Sequence, residues 1–236
     1  MPARARSSPA PVVVSIGGSV LITGDGDREY LAGLSELLKR VGRSVPLVVT
    51  VGGGRTARDY IAIGRDLGLT EVELDEIGIE VTRLHARLLA ARIGPPTPAQ
   101  PPTTVREAVD LMHRASPVVL GGTEPGHPTD GVAALIAVRL RAARLVNATN
   151  VTGVYDRDPR KFPGARRIAR LSWPEFRALV ASETDGTAGQ SFLFDRLGAD
   201  SLSRSGIPLS VVHGRDLANL EAAILGKPFD GSRVEV

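Results

Sequence analysis

Runs of aliphatic and β-branched residues alternate along the chain with stretches whose apolar positions recur every three or four residues. Residues 12–19, VVVSIGGS, stop at two consecutive glycines, and residues 47–58, LVVTVGGGRTAR, pass through three. Short continuous apolar runs bounded by turn residues predict strands buried on both faces, here at residues 12–16 and 45–51. Between them Leu31, Leu34, Leu37, Leu38 and Val41 recur at helical spacing and predict a helix. Tyr60, Ile61, Gly64 and Leu67 mark a second helix, and Ile77, Val81, Leu84 and Leu88 place an apolar stripe on a longer third one. Residues 94–104, GPPTPAQPPTT, are an irregular connection, because proline lacks the backbone donor and disfavours helix before it.

Further on, residues 117–120 predict a short strand running into Gly121 and Gly122, and residues 132–140 a helix. Residues 145–148 give another strand, 150–163 a region of turn formers, and 173–180 and 193–205 two helices. A late strand spans residues 208–213, with Asp216 as the N-cap of a final helix. Repeated alternation of strand and helix implies a mainly parallel sheet covered on both faces, with ligands at the carboxyl ends of its strands.

Composition narrows the classes. The 236 residues suffice for one large α/β domain or two small ones, and 42% hydrophobic residues suit a globular chain. There is no cysteine and the four histidines lie far apart, so disulfides and thiolate metal sites are excluded and no bound metal is expected. No apolar stretch approaches the roughly 20 residues that span a bilayer, so no membrane partner is expected and the location expected is cytoplasmic. Residues 1–11 read as a small, basic, disordered tail. A net charge of +3 is carried by arginines spread along the helices, and aromatic residues make up 4%, which argues against a nucleic-acid partner. Lys39, Lys161 and Lys227 are the only lysines.

Four polar or glycine-bearing segments follow predicted strands: Gly17 to Ser19, Gly52 to Gly54, residues 121–130 and residues 147–158. Exposed backbone N–H groups at a strand–glycine–helix turn hold anions, although the same turn also closes βα units for steric reasons. In the third segment Thr129 or Asp130 either caps the next helix or, with Thr123 and the loop amides, grips a phosphate or a base edge. In the fourth, Tyr155 could stack on a purine and Asp158 could bind a ribose or a metal-bound water, or the whole is a solvated turn.

In order, SIGGS, VGGGRTAR, LDEIGIEVTRLHARLL, GGTEPGHPTDGVAAL, NATNVTGVYDRDP, TAGQSFLFD and RSGI resemble the archaeal-type uridylate (UMP) kinases of the amino-acid kinase superfamily, over residues 12–236. That resemblance implies an α/β fold, a three-layer αβα sandwich around a largely parallel sheet. It implies a single domain over residues 12–236, its acceptor-binding part mainly N-terminal and its ATP-binding part mainly C-terminal, assembled as a homo-oligomer, usually a hexamer. The activity implied is ATP-dependent phosphorylation of UMP to UDP in pyrimidine metabolism, with Mg²⁺ carried on ATP and no dedicated metal ligands. Carried over by position, Ser15, Ile16, Gly17, Gly18 and Ser19 line the ATP phosphates with Gly54 and Arg58, while Thr149, Tyr155 and Asp158 meet the adenosine end. Gly53, Asp75, Thr123, Glu124, Pro125, Gly126, His127, Pro128 and Thr129 hold UMP. Arg58 is the catalytic cation, with Arg55 or Lys161 assisting.

The chain departs from the pattern at Ser15 and Asp200, where many members and archaeal relatives respectively carry lysine. It departs again at Glu124 and Pro128, where histidine and threonine are common. These departures thin the positive charge around the moving phosphoryl. They leave open a paralogue acting on another small phosphate, phosphonate or carboxylate, or a weakly catalytic nucleotide-binding regulator.

Overall fold

A computed structural model describes residues 9–182 and 194–236. Its elements are β1 (Val12–Ile16), α1 (Gly18–Leu21), α2 (Asp27–Val41), β2 (Leu47–Val51), α3 (Gly54–Asp66), α4 (Glu71–Ile93), α5 (Val105–Leu111), β3 (Val118–Leu120), α6 (Thr129–Leu140), β4 (Arg144–Thr149), β5 (Val154–Tyr155), β6 (Arg167–Ile168), β7 (Arg170–Ser172), α7 (Trp173–Ser182), α8 (Arg196–Ser205), β8 (Leu209–His213), α9 (Leu217–Leu225) and β9 (Ser232–Glu235). Most of the expected tail and all but the last two residues of TAGQSFLFD lie outside the described residues. At the tail's end, Pro11 accepts a hydrogen bond from the Ala143 N–H at 2.8 Å.

The five apolar runs expected as strands pair side by side and all parallel, in the order β3-β2-β1-β4-β8. Two strands not anticipated from the sequence, β9 and β7, extend the sheet beyond β8, with β9 antiparallel to it. The chain runs from β1 to β2 and β3 on one side, then crosses to β4 and β8 on the other. The sheet therefore switches direction between β1 and β4, where doubly wound α/β sheets open a ligand crevice.

Because every residue of β1 and β2 is buried, alternate side chains fill two separate cores. Val13, Val48, Leu120, Leu145 and Leu209 pack with residues of α6, α7 and α8, including Val132, Ile136, Phe176 and Leu202. Val14, Ile16, Leu47, Val49 and Val146 pack with Leu34 and Leu38 of α2, Ala86 and Leu89 of α4, and Leu220 of α9. The result is the three-layer αβα sandwich. Among the described residues no helix is long and apolar enough to cross a membrane.

The two helices expected from the Tyr60 and Ile77 stripes are present, as α3 and α4, and packing decides which of their apolar sides meets the sheet. In the stripe Ile77, Val81, Leu84 and Leu88 on α4, Leu84 and Leu88 are 63% and 49% exposed, whereas Leu74, Val81, Ala86, Leu89, Ala90 and Ile93 are buried. Tyr60 and Leu67 of α3 are likewise exposed, and the buried positions are Ala57 and Gly64. Both helices are apolar on more than one side, so periodicity alone did not identify the side that meets the sheet.

Candidate active site

The two glycine turns form one structure. The Gly17 N–H bonds to the Ala148 carbonyl and the Gly52 N–H to the Ile16 carbonyl, each at 2.9 Å, so both turns leave their strands in ladder register. A Cβ at Gly18 would lie 2.0 Å from the Gly54 nitrogen, 2.5 Å from the Gly53 carbonyl carbon and 2.6 Å from that of Gly52. Gly54, at φ +60, is equally closed in, because a Cβ there would lie 2.4 Å from the Gly18 carbon and oxygen. A Cβ at Gly52 would lie 3.4 Å from Thr129 Oγ1, which brings the start of α6 to the same place. The leading N–H groups of a helix have no intrahelical partner, and α3 carries no acidic residue in its first turn. An anion is the natural complement of that helix end.

Helix α4 holds this arrangement from behind. It is seeded by a capping box in which Thr70 and Glu73 satisfy each other's backbone N–H groups. Four of its side chains then grip loop backbone. His85 Nδ1 lies 2.9 Å from the Gly52 carbonyl oxygen, and because a carbonyl only accepts, that nitrogen carries the proton. Thr82 Oγ1 accepts from the Gly122 N–H and donates to the Ile79 carbonyl, both at 2.6 Å. Arg83 donates to the Gly122 and Thr123 carbonyls at 3.3 and 3.1 Å. Asp75 Oδ2 accepts from the Gly126 N–H at 2.9 Å. Sequence reasoning reached Asp75 through resemblance and missed Thr82, Arg83 and His85. The signal for them was polar residues interrupting the core-facing side of a long helix. A His85→Asn variant, which keeps a donor, is expected to behave as wild type. His85→Leu orphans the buried Gly52 carbonyl, which costs about 1–3 kcal/mol. A lowered Tm and slower turnover in the leucine variant alone would verify the clamp.

Ser15 is buried and registered between Thr50 and Asn147 on the sheet face that α6 covers, while the Ile16 side chain is buried in the opposite core. To any ligand at the Gly17 turn Ile16 therefore has only its backbone to offer. In loop 121–128, Glu124 is exposed, and its carboxylate lies 3.7 Å from His127 Nδ1. The N-cap of α6 is Pro128, with no side-chain cap, in place of the expected Thr129 or Asp130. Asp130 instead accepts from the Gly131 N–H at 3.0 Å and the Asp195 N–H at 2.8 Å, tying α6 to the N-cap of α8. Burial, with the neighbouring Asp195 charge, pushes the Asp130 carboxyl up to about 6.

At the carboxyl end of β4 the Thr149 carbonyl accepts from the Gly214 N–H at 2.8 Å, and further on the Tyr155 hydroxyl lies 2.7 Å from Thr152 Oγ1. Both Asp158 oxygens receive the Arg160 guanidinium at 3.0 Å, which holds that carboxyl below the usual range. Arg58 is exposed and forms no ion pair among the described residues, whereas Arg55 lies 3.5 Å from Asp59.

Asp200 is balanced by a residue the sequence did not point to. Arg177 Nε of α7 meets its carboxylate at 2.5 Å, so this charge is neutralised locally. An Asp200→Lys variant sets a second cation beside Arg177. It is expected to bring no gain in turnover and a small drop in Tm, since partly exposed pairs contribute at most about 1 kcal/mol. Steady-state rates and thermal denaturation of the variant check this.

Fold and site together define an α/β protein in which two glycine turns meet at the switch point of a largely parallel sheet. The chain belongs to the amino acid kinase family, whose model matches residues 10–213. It is 40% identical over 216 residues to a uridylate kinase of Methanothermobacter thermautotrophicus, covering 92% of this chain and 96% of that protein. It is 42% identical over 229 residues to a uridylate kinase of Thermoplasma volcanium, covering 95% and 97%. The crystal structure of the uridylate kinase from Archaeoglobus fulgidus superposes with a TM-score of 0.83 at 36% identity, over 95% of this chain and 99% of that one. A UMP kinase from Bacillus anthracis shares the fold at a TM-score of 0.75 and 18% identity, over 96% of each chain.

Proposed function

We propose that the protein is an ATP-dependent UMP kinase that forms UDP and ADP by direct in-line transfer, with Mg-ATP as the donor. The observation that carries this reading is the backbone contact between Gly18 and Gly54, which leaves two anion-holding turns no room for side chains between them. Donor and acceptor phosphates brought to adjacent turns are held for attack, and positioning with positive charge supplies most of what phosphoryl transfer needs. In this reading Gly17 to Ser19 cradle the ATP phosphates and Gly53 lies between donor and acceptor. Asp75 and loop 121–128 hold UMP, and residues 149–158 take the adenosine end. The start of α3, with Arg58 beside it, supplies the charge. Relatives about 40% identical over nine-tenths of the chain carry the uridylate kinase name, which does not favour a divergent acceptor or a non-catalytic regulator.

The same reading makes the protein a homo-oligomer. Tyr60, Ile63 and Leu67 of α3 with Val72, Leu84 and Leu88 of α4 are large, exposed apolar residues on neighbouring helices. Clusters of that kind mark interaction surfaces, and a second copy is the partner this reading assigns. The deciding experiment incubates the full chain with Mg-ATP and a panel of nucleoside monophosphates and follows ADP. Turnover with UMP well above the other acceptors is expected. Preference for a different acceptor, or UMP binding without ADP formation, would overturn the proposal. Sedimentation of the same preparation reads its assembly.

A further inference from the structure

We infer that Arg215 is a positioning residue for the donor's phosphate cradle, holding α1 and the loop after it so that the amides of Gly17 to Ser19 face the ligand. The inference rests on reading those residues as the ATP phosphate site. Helix α1 is a single four-residue turn. A turn that short does not sustain itself, because forming the first hydrogen-bonded turn is the unfavourable step in making a helix. Its support comes from the β8–α9 connection, where Arg215 lies 195 residues beyond Val20 in sequence and at the same carboxyl edge of the sheet.

All three guanidinium nitrogens of Arg215 are engaged there. Nε donates to the Val20 carbonyl in α1 at 3.1 Å, Nη1 to the Asp25 carbonyl at 3.0 Å, and Nη2 to Thr23 Oγ1 at 2.8 Å and to the Asp27 carboxylate. The guanidinium lies over the Tyr30 ring, 4.7 Å from its centroid, and the Tyr30 hydroxyl donates to the Gly214 carbonyl at 3.0 Å. Gly214 closes the arrangement: its N–H bonds to Thr149, and a Cβ there would lie 2.6 Å from Val20. One side chain thus joins the α1 turn, the loop to α2 and the start of α2 to the strand end that carries Thr149.

Asp27 completes the latch. Although desolvation opposes its charge, the amides of Gly24 and Thr23, the Thr23 hydroxyl and Arg215 hold its carboxyl down at about 2, so it stays anionic at neutral pH. Lysine would keep the charge at position 215. It has neither the planar fork that reaches several acceptors nor the face that stacks on Tyr30.

The test compares wild type, Arg215→Lys and Arg215→Gln by calorimetric titration of the full chain with AMP-PNP and, separately, with UMP, alongside thermal denaturation and steady-state kinetics. Affinity for AMP-PNP, and kcat/KM for ATP, are expected to fall about ten- to a hundredfold in Arg215→Lys, the range that remote misplacement costs. UMP affinity is expected to stay at its wild-type value. Should Arg215→Gln fail to fold, Asp27→Asn serves in its place and is expected to move AMP-PNP affinity in the same direction by less. Unchanged AMP-PNP affinity in Arg215→Lys, or equal losses for both ligands tracking a lowered Tm, would overturn the positioning role. Wild-type protein that binds no AMP-PNP would instead remove the kinase reading, and this inference with it.

Discussion

Gly18→Ala is expected to abolish measurable ADP production while Gly17→Ala, one residue earlier, leaves most of it. The Gly18 backbone is not in the left-handed region, so alanine's own conformational preference is not the obstacle. The obstacle is space. The added methyl would meet Gly54, Gly53 and Gly52 at 2.0 to 2.6 Å, and all three contacts are backbone atoms that have no rotamer to change. At Gly17 the nearest atom is the Ala148 carbonyl oxygen at 3.5 Å, an ordinary contact. Ordinary overpacking costs about 1–3 kcal/mol, and a clash this deep is relieved only by moving the turns apart. A displacement of about 1 Å between reacting groups can cost a hundredfold in rate, so the loss in kcat/KM should exceed the loss in stability. Turnover and Tm of the two variants, measured side by side, check both halves. Wild-type turnover in Gly18→Ala would mean that the turns do not approach each other as described.

The same contact marks where the sequence stops being informative. Each glycine turn is legible because an apolar run ends there, but that Gly18 touches Gly54 is a tertiary fact no local pattern encodes. The five central strands are legible because burial on both faces makes them continuously apolar. Ser232–Glu235 is short, with three of its four residues polar, and takes its strand conformation from β8 and β7 on either side of it. Val105–Leu111 has only seven residues behind a proline-rich stretch, and its start depends on Thr104 accepting from the Glu107 N–H. Among the candidate site residues, the loops were placed at the correct strand ends, whereas the side chains that hold them, Asp75 apart, were not. Thr82, Arg83 and His85 act on backbone atoms 33 to 40 residues away. Asp200 looked like an unbalanced anion because Arg177, 23 residues earlier, is brought beside it only by the packing of α7 on α8.

Removing Arg58 is expected to slow phosphoryl transfer about 100- to 1,000-fold, the cost of deleting one preorganised group that stabilises developing charge. Arg58 follows the third glycine by one helical turn of α3, the helix whose first residue, Gly54, meets Gly18. Its guanidinium is exposed and makes no ion pair among the described residues, so its charge is available to a ligand. Arg55 shares the helix, but its charge is shared with Asp59, and Arg55→Ala serves as the control for general electrostatics. With Arg58→Met, kcat should fall while KM for each substrate and Tm stay near wild type, because an exposed side chain contributes little to folding. Arg58→Lys should recover part of the rate, since a point charge replaces the fork without its directed donors. Equal kcat in Arg58→Met and Arg55→Ala would show that Arg58 has no special place in the transfer step. A rise in KM for ATP at unchanged kcat would confine it to holding the nucleotide.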